Sequence, residues 1–400
     1  MDSIKKILSL WEDYGLYPDI KTVSSPPVPV QIINGKKVIS FCSNNYLGLA
    51  SSDLLVKAAI KAAKEYGVGS SGSRLLSGNL AIFEKLERKV AEFKKSDDAM
   101  VFTAGYMANV GTISAVANLN NIAFLPRAKE KTVIFSDEFN HASIIDGCKL
   151  SKAKVVVYGH CDMRDLEKKL KKYSRTRKLI VTDGIFSMDG DIAPLDVIAG
   201  FAKKYKALTM VDDAHATGIL GKTGSGTAEH FGLDNDIDIK MGTFSKAIGV
   251  LGGYIAGKKE LIKYLRIGAR SYVFATASSP VLIAAILAAL EEIKNNSSPR
   301  KILLENARML REGFKSRGFD ILTSQSQIIP VLIKDEAKAI KAAGLLFQEG
   351  YFAPCVRWPA VEKKKARIRF TVMSLHTEAQ IKSLLDVMEK IDNKLNITKS

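Results

Sequence analysis

The chain has 400 residues, 46% of them hydrophobic and 25% charged, enough to bury a sizeable core in two or three domains. No run of 18 uninterrupted apolar residues occurs, so no spanning helix is expected, and the four cysteines lack the CxxC spacing of a zinc site or a disulfide framework. The formal charge of +17 invites a nucleic-acid reading, but the lysines are spread along helices, as in 61–64 and 168–172, without an arginine-rich arm or an aromatic-interleaved basic strip. That surplus reads as a solvated surface able to steer a polyanionic ligand. The first residues, Met1-Asp2-Ser3-Ile4-Lys5-Lys6, lack the long apolar core of a signal peptide, so a cytoplasmic protein is expected.

In chain order, 1–20 reads as an amphipathic helix followed by a loop closing at Pro26-Pro27, and 28–41 as a β-hairpin turning at Asn34-Gly35. Helical stretches at about 53–66 and 80–94 flank the glycine-serine run 67–74, which ends in Arg74 and suits an anion, a close backbone approach or a flexible linker. Strand patterns at 98–103, 132–136, 154–158, 178–183, 208–213, 238–243 and 250–256 alternate with helical ones, the signature of a mainly parallel sheet covered on both faces. Helical segments fill 257–297, and the polar breaker at 295–299 marks a boundary. Beyond it, a helix near 300–317, a strand at 328–333, a helix at 335–349, a strand at 366–372 and a last helix at 377–394 make a small α/β domain. The expected division is an N-terminal helix and hairpin segment (1–45), a large domain (46–294) and a small C-terminal domain (295–400).

The chemistry centres on Thr243-Phe244-Ser245-Lys246, which sets one lysine on a turn between two apolar runs. A lysine buried there can stay a neutral amine and form a Schiff base with a carbonyl cofactor. Upstream, Leu208-Thr209-Met210-Val211-Asp212-Asp213-Ala214-His215 reads as a strand ending in a carboxylate pair, with a histidine three residues after the first acid. An acid at a strand end can partner a pyridinium nitrogen, and acid plus lysine is the protein's half of pyridoxal 5'-phosphate (PLP) chemistry. Asp213 points to the opposite face from Asp212 and carries no chemical role. A strand-to-helix turn at 103–109 offers free helix N–H groups to a phosphate. In 366–371, alternation puts Arg367 and Arg369 on one face, and an arginine fork suits a carboxylate.

Taken together, Asn140-His141-Ala142-Ser143, Phe186-Ser187-Met188-Asp189-Gly190-Asp191, Val211-Asp212-Asp213-Ala214-His215 and Thr243-Phe244-Ser245-Lys246 resemble the α-oxoamine synthases from about Phe41 to the C-terminal helix. That resemblance implies an α/β, PLP-dependent transferase fold of the aspartate aminotransferase type. It also implies PLP as cofactor, no metal, and decarboxylative condensation of an amino acid with an acyl-CoA or an acyl carrier protein thioester. By resemblance Lys246, His141, Asp212 and His215 are the catalytic set. Lys246 carries the cofactor, Asp212 partners its pyridine nitrogen, His141 stacks on the ring, and His215 hydrogen-bonds its phenolic oxygen. Gly105, Tyr106, Ser187 and Thr243 would complete the cofactor site, with Thr276 reaching the phosphate of a neighbouring subunit in a homodimer. Arg369 would clamp the amino-acid carboxylate, and Asn44 and Ala360 would line the substrate.

Within the family, Gly69-Ser70-Ser71-Gly72-Ser73-Arg74-Leu75 and Thr227-Ala228-Glu229-His230-Phe231-Gly232 are most similar to the branch that joins L-alanine to a pimeloyl thioester for biotin synthesis. The alternatives are glycine with acetyl-CoA, then serine with palmitoyl-CoA. Arg357-Trp358-Pro359-Ala360-Val361 is similar to an Arg-Pro-Pro-Thr-Val element of that first branch, from which Trp358 and Ala360 depart. A non-enzyme alternative is a catalytically silent CoA-binding protein, against which Lys246, Asp212, His141, His215 and Arg369 weigh together.

Overall fold

The alternation of apolar runs and amphipathic stretches resolves into one central sheet with helices on both faces. A computed structural model describes residues 1–119 and 131–399. Helix α1 (Asp2–Asp13) precedes the hairpin β1 (Val30–Ile33) and β2 (Lys36–Ser40), helices α2 (Asp53–Tyr66) and α3 (Ala81–Phe93), strand β3 (Asp98–Phe102) and helix α4 (Gly105–Ala117). Strands β4 (Thr132–Asp137), β5 (Lys154–Tyr158), β6 (Arg177–Asp183) and β7 (Ala207–Asp212) alternate with helices α5 (Ala142–Ser151), α6 (Met163–Lys172) and α7 (Leu195–Tyr205). The single turn α8 (Thr227–His230) leads to β8 (Ile239–Thr243) and β9 (Gly253–Gly257), then to α9 (Lys259–Gly268), α10 (Arg270–Val273) and α11 (Pro280–Asn295). The C-terminal part holds α12 (Ser298–Ser316), β10 (Ile328–Lys334), α13 (Glu336–Gln348), β11 (Tyr351–Phe352), β12 (Cys355–Val356), β13 (Ala366–Thr371) and α14 (Glu378–Leu395).

The large sheet runs β3-β9-β8-β7-β6-β4-β5, parallel from β8 through β5, with β9 antiparallel to both its neighbours. The pleat sorts its side chains. Leu179, Val181, Met210, Ile239 and Met241 pack with α4 and α9, whereas Ile180 and Val211 pack with α6 and α7. By the same parity Asp183, Asp212 and Thr243, the last residues of three strands, lie on the α4 side at the carboxyl ends, where open α/β sheets bind ligands. A third apolar cluster joins α2, α3 and α11 to the C-terminal strands and helices.

Three features depart from the sequence reading. Strand β9 begins at Gly253 rather than at residue 250, because Gly249 (φ +77) and Gly252 (φ +134) take left-handed or similarly glycine-only backbone and keep 249–252 in the turn. The hairpin, which does turn at Asn34 and Gly35 with positive φ at both, does not stand apart: β2 pairs in parallel with β11 of the C-terminal part. The N-terminal helix ends at Asp13 and buries none of its residues. Among the described residues no helix is long and apolar enough to cross a membrane.

Candidate active site

Lys246 sits in the β8–β9 turn, fixed by the Phe244 N–H to Gly252 O bond (2.9 Å) and the Gly249 N–H to Lys246 O bond (2.9 Å). The turn presses on the chain near Ala50 so closely that a Cβ at Gly249 would lie 2.4 Å from Ala50 N. Among the described residues the Lys246 ammonium has no ion-pair partner. Burial, reinforced by the Arg369 charge, lowers its pKa against the pull of Asp212 and Asp183, which favours the free amine a carbonyl requires.

Asp212 is 2% exposed and is held by neutral donors: Asn109 Nδ2 donates to Oδ2 (2.7 Å) and Ala214 N–H to Oδ1 (2.8 Å). Asn109, on the inner face of α4, also donates to Ser143 Oγ (2.8 Å), which lies 2.7 Å from His141 Nδ1. His141 caps α5, accepting from Ser143 N–H (3.2 Å), while its own N–H donates to Asp183 Oδ2 (2.8 Å). The residue is exposed, and desolvation together with Lys246 lowers its imidazole pKa against Asp212. Asp183 lies beside Asp212 in register, and burial with that neighbouring carboxylate raises its pKa well above the usual carboxylic range. Asp213 faces the other way, as its parity requires. Lys94 Nζ is 2.8 Å from it, and although burial opposes the charge, Asp213 and Tyr254 push the Lys94 pKa up to about 12.

His215 is buried, with Tyr46 Oη 2.8 Å from Nδ1, which leaves Nε2 for a ligand. Burial first, then the charges of Lys246 and Arg369, take its pKa well below the ordinary imidazole value, so the ring is neutral. Tyr46 Oη donates to Asn44 Oδ1 (3.0 Å), which ties the 42–49 stretch to the same cluster. Arg369, on β13, donates through Nε to the Ser187 carbonyl (2.5 Å), and Arg367 pairs with Asp189. The strand therefore delivers both arginines to one loop, as their alternation predicts.

The residues fit PLP at both of its ends. Helix α4 starts at Gly105 with no side-chain cap from Ala104, so its first N–H groups are open to an anion. Thr243 lies against that end: a Cβ at Gly105 would be 3.2 Å from Thr243 Oγ1, which is itself 2.9 Å from Ser245 Oγ. At the other end, a buried Asp212 without a cationic partner among the described residues suits a protonated ring nitrogen. The Tyr106 phenol is hydrogen-bonded to Asp146, so its backbone is what faces the anion site.

Two predicted residues lie apart from this cluster. Thr276 is exposed and bridges Ser73 of the 67–74 loop, and Ala360 is exposed in a turn where its N–H donates to Arg357 O (2.9 Å). Arg74 is not free for an anion: its fork meets Glu87 at 3.0 Å through both Nη atoms, and its guanidinium stacks 4.6 Å over Phe83. Sequence reading gave no role to Asn109, Ser143 or Tyr46. Asn109 stands four residues after Gly105, one helical turn along the same face, and that spacing was the available signal.

Residues 36–388 match the aminotransferase class I and II family. The chain is 46% identical to an 8-amino-7-oxononanoate synthase from Thermoanaerobacter pseudethanolicus over 399 residues, 99% of this chain and 98% of the relative. Among solved structures, a serine palmitoyltransferase variant with PLP superimposes with a TM-score of 0.92 at 29% identity, covering 99% of each chain. An 8-amino-7-oxononanoate synthase from Francisella tularensis superimposes with a TM-score of 0.76 at 28% identity, covering 90% of this chain and 99% of that one.

Proposed function

Because the chain belongs to the aminotransferase class I and II family, we propose that it is a PLP enzyme joining L-alanine to pimeloyl-CoA, or to a pimeloyl carrier-protein thioester, to give 8-amino-7-oxononanoate for biotin synthesis. The observation that carries this reading is the meeting of Lys246, Asp212, His215 and Arg369 at the strand ends, in a chain 46% identical to a protein of that name. A silent CoA-binding protein has no use for a desolvated lysine near a buried carboxylate that makes no salt bridge among the described residues.

When bound, PLP supplies an electron sink for the pair left as the Cα–H bond of the amino acid breaks. The α4 N-terminus with Thr243 would hold its phosphate, Lys246 its carbonyl carbon, and Asp212 its ring nitrogen. His215 would turn Nε2 to its phenolic oxygen and share a hydrogen bond with it, with His141 over the ring. Arg369 would receive the alanine carboxylate with Asn44 beside it, and Ser187 would contact the cofactor. The Lys246 amine, once free, takes the Cα proton, a role that its lowered pKa favours. A Cα–acyl bond then forms as the C–S bond of the thioester breaks, the Cα–carboxylate bond releases carbon dioxide, and a proton returns to Cα.

The proposal extends to a homodimer in the cytoplasm. Thr276 is the residue offered to the partner's phosphate. Exposed Phe274 (71%), Leu76 (85%) and Val68 (78%) near the joined 67–74 and 271–279 segments supply apolar surface of the kind an interface buries. The division into 46–294 and 295–400 is kept, with the hairpin assigned to the smaller unit through its pairing with β11.

The test is a matrix of alanine, glycine and serine against pimeloyl-, acetyl-, succinyl- and palmitoyl-CoA, following thiol and carbon dioxide release. Preference for alanine with pimeloyl-CoA is expected. Preference for glycine with acetyl-CoA, or serine with palmitoyl-CoA, would reassign the substrates.

A further inference from the structure

Outside the residues assigned above, one titratable cluster is built to an unusual degree. His160, in the turn after β5, has Nδ1 3.0 Å from Asp137 Oδ1 and Nε2 2.9 Å from Asp191 Oδ2. Its ring stacks on Phe139 (centroids 4.4 Å apart) and meets Phe186 edge-on (4.5 Å). With a carboxylate at each nitrogen the ring donates twice, as an imidazolium. Burial opposes that charge, but the two acids outweigh it and push the pKa up to about 12. Asp137, His160 and Cys161 place ligand-type atoms within 4.8 Å of one another. Both ring nitrogens are nevertheless turned to carboxylates, and Asp137 also accepts from Phe139 N–H (2.9 Å) and Cys161 N–H (2.8 Å). The cluster is a completed bridge between two acids, not an open ligand set.

What the bridge holds is the loop between β6 and α7. That loop is closed on itself by Phe186 N–H to Asp191 O (3.0 Å), Gly190 N–H to Phe186 O (2.9 Å) and Ala193 N–H to Gly184 O (3.1 Å). Its far side meets groups from the C-terminal part: Arg369 on Ser187 O, Arg367 on Asp189, and Gln325 on both Gly190 O (3.1 Å) and Ile192 N–H (3.1 Å). Gly190 (φ +74) approaches Ile328 so closely that a Cβ there would lie 2.1 Å from its carbonyl oxygen. The loop is therefore gripped by the sheet through His160 and by β13 through two arginines.

We propose that His160 is a positioning residue for the substrate-carboxylate arginine: bridging Asp137 and Asp191, it fixes the 184–193 loop and so the place where the Ser187 carbonyl holds Arg369. This rests on the reading of Arg369 as the carboxylate site. A loop freed at Asp191 lets the guanidinium drift, and misplacement of a binding group by an ångström is felt in substrate binding before it is felt in cofactor binding.

The test compares His160→Gln, Asp191→Asn, Arg369→Lys and the double variant His160→Gln/Arg369→Lys as holoenzymes. PLP affinity is measured by absorbance, and KM for amino acid and for acyl thioester are measured separately. His160→Gln is expected to raise the amino-acid KM about tenfold, with PLP affinity and thioester KM within about twofold of wild type. In the double variant the amino-acid KM should be no higher than in Arg369→Lys alone, a result that a general loss of structure would not produce. Should His160→Gln fail to fold, Asp191→Asn is read by the same ratios. The proposal is overturned if Arg369→Lys raises the amino-acid KM but neither His160→Gln nor Asp191→Asn does, if PLP affinity falls in parallel, or if the double variant multiplies the two effects. If Arg369→Lys leaves that KM unchanged, the carboxylate reading itself fails and takes this proposal with it.

Discussion

Asn109 Nδ2 donates to Asp212 Oδ2 at 2.7 Å between two side chains that are 1% and 2% exposed. Among the described residues no cation pairs with this carboxylate, which leaves its charge for a ligand, and the amide holds it at a fixed angle to the sheet. Asp212→Asn preserves the shape and one of the two accepted bonds but removes that charge. It should therefore still bind PLP while turnover falls by roughly 10²–10³, the cost typical of losing one preorganised electrostatic group. Absorbance titration with PLP and steady-state thiol release decide this. A variant within threefold of wild type would mean that Asp212 is not the pyridine partner.

Lys246→Ala should fold normally and show no measurable turnover, because the lysine side chain makes no ion pair among the described residues whose loss would disturb packing. Borohydride treatment of the PLP-loaded wild type should fix the cofactor on a peptide containing Lys246. Labelling on any other lysine sinks the assignment.

Much of this site was legible because it depends on local periodicity. Parity along 208–213 separates Asp212 from Asp213, and the structure sends one to Asn109 and the other to Lys94. Parity along 366–371 likewise delivers Arg367 and Arg369 to one loop. Ser143 and Tyr46 were not legible, and Asn109 only as a position one turn after Gly105 on α4, since each meets its partner by an approach between elements distant in sequence: α4 to β7, α4 to α5, and the 42–49 stretch to His215. Arg74 misled for the same reason. A glycine-serine loop ending in arginine says nothing of Glu87 waiting on α3. The late start of β9 follows from Gly252, whose backbone (φ +134) breaks a pattern that hydrophobicity alone extends.

The Tyr46–His215 contact makes a graded prediction. Tyr46 Oη, 2.8 Å from Nδ1, fixes which nitrogen of the neutral His215 ring faces the ligand. In Tyr46→Phe the ring loses that partner and populates both tautomers. PLP binding should survive, while kcat falls about tenfold, less than the roughly 10²–10⁴-fold worth of a positioned proton donor because the ring itself stays in place. Single-turnover measurements with alanine locate the loss. An unchanged rate of Cα-proton exchange would show that the tautomer of His215 does not matter to that step.

His376 links the C-terminal part to the hairpin and should make stability depend on pH. Its ring stacks on Phe41 (centroids 4.2 Å apart), Nδ1 accepts from Met373 N–H (2.8 Å), and Nε2 lies 3.0 Å from Ser40 O as donor. A neutral ring satisfies both bonds, whereas protonating Nδ1 removes an acceptor. Burial lowers its pKa from 6.5 to about 4 in the fold. Between those values the unfolded chain binds more protons than the folded one, so the stabilisation is full above pH 6.5 and is lost as pH falls towards 4. Complete loss amounts to about 3 kcal/mol, and His215, shifted in the same direction, adds to it. Thermal midpoints should therefore fall from pH 7.5 to 5 more steeply in the wild type than in His376→Gln, whose amide does not titrate. Because the amide replaces a stacked ring, the variant should start about 1–2 kcal/mol lower at pH 7.5. Parallel curves for the two proteins would show that His376 does not set the acid limb.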